Sequence, residues 1–127
     1  MSLMVSIIPK ERSINIDTNY LENQIPAPHN HLFGFESCRR TLWGNDVMSE
    51  LGCKLIYSLK DGNIYAFDEG IEELRNELLT LLDNINLVKL RTGYGNDNDS
   101  IEFRVGNALE MIKVALKEKD KVGIAIW

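Results

Sequence analysis

Residues 99–127, DSIEFRVGNALEMIKVALKEKDKVGIAIW, carry the pattern that decides the fold. Ile101, Val105, Ala108, Ile112 and Ala115 recur at three- and four-residue spacing, and Leu109 and Leu116 widen the stripe. A helix turns once in about 3.6 residues, so these side chains share one face and predict an amphipathic helix. Asp99 with Glu102 three residues on has the spacing of a capping box and predicts its start. Asp120-Lys121 breaks the stripe, and Val122 to Trp127 then runs almost continuously apolar, as a buried strand does. A helix that feeds directly into a buried strand needs a sheet to pack on.

Working upstream, Ile71, Leu74, Leu78, Leu81 and Leu82 predict a second long helix ending near Asp83, with Asp68 in the N-cap position. Asn84 to Leu90 holds a candidate short strand over Leu87–Leu90, and Gly93–Asn98 reads as a loop. Lys54–Leu59 and Asn63–Phe67 flank Asp61-Gly62, the local signal of a β-hairpin. Asn45 predicts a cap for a short helix over Asp46–Leu51 that stops at Gly52. Phe33–Trp43 is ambiguous; Phe33 and Phe35 alternate with Gly34 and Glu36 as a strand would. Asn23–His31 contains Pro26 and Pro28 and predicts an extended loop. Near the start, Val5, Ile7 and Ile8 predict a strand ended by Pro9, and Ile14 and Ile16 predict another by alternation.

The expected fold is therefore α+β: one domain over residues 1–127, with a mainly antiparallel sheet and two long helices packed on one face. A strand before the last helix would add a parallel crossover and make the sheet mixed. A chain of 127 residues with 44% apolar side chains is large enough for one real core without metals or disulfides. Cys38 and Cys53 make no disulfide framework, and Met1 to Val5 carry no charged, cleavable leader, which together predict a cytoplasmic protein. Met1-Ser2-Leu3 reads either as the natural start or as an expression scar. No apolar run approaches the 18 residues of a membrane span.

The net charge of −5 argues against a nucleic-acid binder, which needs a basic footprint. The charge is also localised. Between Asp61 and Asp83 there are seven acids opposed only by Arg75. Glu69, Glu73 and Glu77 stand four apart with Glu72 beside them, so on a helix they share a face and repel by about 0.2–0.5 kcal/mol per pair. Acids in the first turn favour the helix dipole, which accounts for Glu69 and Glu72 but not for Glu77. The face is either a solvated surface or a docking surface for a basic protein partner.

Other constellations are weaker. His29 and His31 lie two apart on a loop and could reach one metal, but no third ligand is adjacent; no metal or cofactor is expected. Asp97, Asp99 and Glu102 do not keep the glycine and glutamate positions of a calcium loop. Gly93-Tyr94-Gly95 before a helix lacks phosphate-loop spacing. Glu36 and Arg40 would share one strand face beside Trp43, with Arg39 on the other; Arg and Trp are common interface anchors. These four residues join the acids as candidate partner-binding residues, and no catalytic set is identified.

Phe33-Gly34-Phe35-Glu36-Ser37-Cys38-Arg39 and Leu42-Trp43-Gly44, then Asn63-Ile64-Tyr65, Glu73-Leu74, Glu77-Leu78, Arg104-Val105-Gly106-Asn107-Ala108 and Val122–Trp127 form a series that resembles the small acidic immunity proteins of bacterial polymorphic-toxin systems. The resemblance spans residues 33–127. It implies a non-enzymatic protein that neutralises a cognate toxin domain, often a basic nuclease, by binding it. The alternative is a small hydrolase or ligand-binding enzyme using His29, His31 and nearby acids. A further alternative is a subunit that self-associates through its Trp127 end, so both monomer and homodimer stay open.

Overall fold

The computed structural model describes residues 2–94 and 101–127. Four strands, β1 (Ser2–Pro9), β2 (Leu32–Phe35), β3 (Ile64–Ala66) and β4 (Val122–Ile126), form one sheet in the order β2-β1-β4-β3. Every neighbouring pair is antiparallel. Among the described residues six α-helices accompany it: α1 (Thr18–Glu22), α2 (Asp46–Glu50), α3 (Lys54–Tyr57), α4 (Glu69–Asp83), α5 (Ile85–Thr92) and α6 (Ile101–Leu116). The fold is α+β.

Strand alternation sets the core face. Leu3, Val5 and Ile7 of β1 point inward, Val5 opposite Ile126 and Ile7 opposite Ile124. Ile64 and Ala66 of β3 pair with the same two residues from the other side. Helix α6 lies against this face. Its predicted stripe is buried, and so are Arg104, Asn107, Met111 and Val114 on a second side, because α6 packs on the sheet and on α4 at once. Leu3 is fully buried opposite Gly34, so residues 2 and 3 form part of the sheet.

Several expectations are corrected. Ile14–Ile16 is not a strand: Asp17 Oδ1 accepts from the Tyr20 N–H at 3.1 Å and starts α1 instead. The far end of that helix replaces the missing strand, since Glu22 Oε2 accepts from the Ile7 N–H at 2.9 Å where β2 no longer runs beside β1. Leu87–Leu90 is helical, within α5, which closes at Gly93 in the left-handed region (φ 78°). With no strand there, no parallel crossover forms and the sheet is not mixed. Lys54–Leu59 is α3 followed by a 3-10 turn over Ser58–Lys60, so the hairpin is absent and only β3 remains of it. β2 stops at Phe35, and Arg39–Trp43 forms a π-helical turn. Asp68 does stand before α4, but with φ 53° and no capping bond; its carboxylate pairs with Lys10 at 2.6 Å. The expected Asp99 cap lies outside the described residues.

The loop 23–31 is held by one fully buried amide. Asn107 Oδ1 accepts from His29 Nδ1 and from the Asn30 N–H, both at 3.0 Å. Its Nδ2 donates to Leu32 O at 2.8 Å and to Asn30 Oδ1 at 3.2 Å. All four bonding positions of the amide are thereby used. Asn107→Ala is expected to destabilise the fold by about 2–4 kcal/mol, because its partners lose their bonds in a dry setting. Urea unfolding measures this; a loss below about 1 kcal/mol would show that water replaces the amide.

Candidate functional site

Helix α4 carries the acidic run, and its burial pattern divides the acids. Ile71, Leu74, Leu78 and Leu81 face the core. Glu69 and Glu73 are exposed and Glu72 is half-buried, and among the described residues none of the three makes an ion pair or side-chain hydrogen bond. Glu77 differs. Its Oε2 accepts from the Leu55 N–H at 3.1 Å and its Oε1 from the Ile56 N–H at 3.0 Å. These are first-turn donors of α3, which an isolated helix leaves unpaired. Glu77 therefore caps another helix and is removed from the docking set. Burial pushes its carboxyl above the ordinary value of 4.5, with the two N–H bonds pulling the other way. The neighbouring Cys53 thiol is pushed up to about 11 by burial and then by Glu77, so it remains a protonated, unreactive thiol near neutral pH.

Glu36, Arg39 and Arg40 meet at a cleft, though not on a strand. Glu36, Arg39 and Arg40 face Lys60, Asp61 and Gly62 across about 340 Å³. Arg39 holds the two walls together: Nε donates to Glu36 at 2.8 Å, Nη1 to Leu59 O at 3.1 Å and Gly62 O at 2.5 Å, and Nη2 to Asn63 Oδ1 at 2.6 Å. The expected pairing of Glu36 with Arg40 on one face gives way to Glu36–Arg39, because the chain turns after Phe35. Arg40 is exposed beside them. A side chain at Gly44 would strike the Arg39 carbonyl and Lys60 Cβ, so the close approach of these segments requires glycine there. Trp43 is fully buried, stacked on Phe33 at 4.2 Å with its indole N–H on Phe33 O at 3.0 Å. It fills the core and offers no surface to a partner.

The histidines do not converge on one another's partners. His29 is bonded to Asn107 and stacks on Phe103 at 5.6 Å, which occupies its ring. His31 lies 3.9 Å from Glu22, whose Oε2 is already engaged by β1. Among the described residues no three of His, Cys, Asp and Glu gather as metal ligands. Asp97 and Asp99 lie outside the described residues.

One surface was met in the sequence only at its Trp127 end. The sheet's outward face is not polar: Met4 is 42% exposed, Phe35 50%, Tyr65 52% and Trp127 44%. Register places Phe35 opposite Ser2, Trp127 opposite Met4 and Tyr65 opposite Ala125, all pointing away from the helices. Tyr65 meets Trp127 edge to face at 5.9 Å, and the Trp127 indole N–H donates to Ser6 Oγ at 3.3 Å. Period-2 alternation along β1 was the available signal, since its outward positions include Met4 and Ile8.

No protein-family model, curated protein or solved structure matches this chain.

Two substitutions separate the acids of α4. Glu77→Ala is expected to cost about 1–2 kcal/mol through the lost cap, and Glu73→Ala less than about 0.5 kcal/mol. The Glu77 carboxyl has a higher pKa folded than unfolded. Its contribution is therefore present below the unfolded value of 4.5 and lost as pH rises through the folded one. Glu77→Gln keeps an acceptor and never ionises, so the wild type should lose stability relative to that variant as the pH rises from 4.5 through the folded value. Urea midpoints across that range check the sign. Arg39→Lys should lower stability by about 1–3 kcal/mol, since one ammonium cannot span four acceptors. Thermal melts at matched pH measure it.

Proposed function

We propose that this chain is a non-enzymatic binding protein that neutralises a basic protein partner, acting in the cytoplasm as small acidic immunity proteins of bacterial toxin systems do. The observation that carries the proposal is the division of acids on α4. Lys10 takes Asp68 and α3 takes Glu77, while among the described residues Glu69, Glu72 and Glu73 make no ion pair or side-chain hydrogen bond. Carboxylates held together on a rigid helix, on a chain of net charge −5, concentrate negative potential. Such a patch steers a basic surface into encounter and suppresses acidic competitors more than it adds affinity. Glu69 and Glu72 also sit in the first helical turn, so the fold tolerates them at little cost. The resemblance over residues 33–127 supplies the partner class, a toxin domain, and Arg40 at the polar cleft is a secondary contact.

Capture with the purified chain should recover the protein encoded by the neighbouring gene, and stopped-flow mixing then gives its association rate. Reversing Glu69, Glu72 and Glu73 together to Lys should slow association by about tenfold or more and flatten its salt dependence. The melting temperature should stay within a few degrees, because none of the three anchors the fold. Failure to recover a basic partner overturns the proposal, and so does an association rate that the triple variant leaves unchanged.

A further inference from the structure

An antiparallel sheet with helices on one side normally presents polar side chains on the other. Here that second face is largely apolar and aromatic, with Ser2 and Ser6 as its polar side chains. No outward-facing residue on any of the four strands is Asp, Glu, Lys or Arg. The rings are also fixed in place. Trp127 is held by Tyr65 and by Ser6, and the Phe67 ring lies across Gly123, where any Cβ would collide with it. Ala125 and Gly123 are buried on this outward face, Gly123 beneath the Phe67 ring. Immobilised aromatics lose little entropy on docking, which is what interface anchors require.

We propose that this face is the contact between two copies of the chain, packed sheet to sheet about a two-fold axis. Charge selects a second copy as the occupant. Two chains of net charge −5 repel wherever their acids approach, and the strands bring no acidic side chain to this face. α4, with its acidic run, packs on α6, which covers the opposite side of the sheet. Face-to-face sheets lie about 10 Å apart, so the two helix layers end up roughly 30 Å apart. That exceeds the Debye length of about 8 Å at physiological salt, and the acids of the two copies scarcely interact. Area sets the strength. Four large side chains each about half exposed contribute roughly 400 Å² per copy. With the smaller residues around them, the pair buries roughly 1,000 Å² in all, the lower end for a specific interface. The result is a reversible dimer that dissociates on dilution. It is independent of the acidic face and leaves both copies of that face free.

Sedimentation velocity across a concentration series tests this. The weight-average mass should climb from 14.5 kDa toward twice that value, and added salt should not weaken it. Trp127 emission should shift to the blue over the same series, while the already buried Trp43 contributes a constant signal. Tyr65→Glu and Met4→Glu should each reduce association by at least tenfold, because each buries an unpaired charge in the apolar contact. Tyr65→Ser serves if a glutamate variant fails to fold, and should also weaken association. A chain that stays monomeric at every concentration overturns the proposal. So does association that the folded variants retain, or that high salt abolishes.

Discussion

Helix α6 is buried on two sides, and the polar side chains it carries inward must find partners there. Asn107 does so completely, with bonds to His29, Asn30 and Leu32. A buried amide left unpaired costs far more than a satisfied one contributes, so this one position dictates where the loop before β2 must run. Leu32 is the first residue of β2, and its carbonyl bond to Asn107 sets where that strand begins. The strand in turn presents Phe33 to Trp43, which closes the core beneath the π-helical turn. A polar contact at the centre of a helix thus propagates to the edge of the sheet.

Elements whose determinants are local were legible in the sequence. β1 ends at Pro9, α2 is capped by Asn45 and ends before Gly52 at φ 81°, and α4, α6 and β4 follow their apolar periods. Elements whose determinants are distant were not. Nothing within Lys54–Tyr57 caps its own helix; the cap comes from Glu77 on α4, and without it the apolar run reads as a strand beside Asp61-Gly62. Ile14 and Ile16 alternate correctly for a strand, but β1 already has β4 on one side and receives Glu22 on the other, so no ladder is left for them to join. Leu87 and Leu90 are exposed on α5, which hides the helical period that would otherwise identify it.

The candidate site shows the same limit. Counting charge locates the acidic helix, but cannot separate a carboxylate with a structural task from one without. Glu73 and Glu77 are one helical turn apart and identical in type. One faces solvent; the other bonds two backbone N–H groups of a neighbouring helix. Only the tertiary packing of α3 on α4 distinguishes them. Arg39 and Arg40 divide in the same way, adjacent in sequence but one consumed as a clamp and the other left at the surface.

The two surfaces that remain differ in chemistry and in position. The acidic run of α4 belongs to the helix layer and acts through a field that salt screens. The aromatic face belongs to the far side of the sheet and acts through apolar contact that salt leaves intact or strengthens. Between them lies the core formed by the strand β4 and the inward-facing side chains of α6. Occupying one surface therefore does not sterically block the other. A pair of chains joined through their sheets would display two acidic faces pointing outward, and each could engage its own partner with no change in the fold.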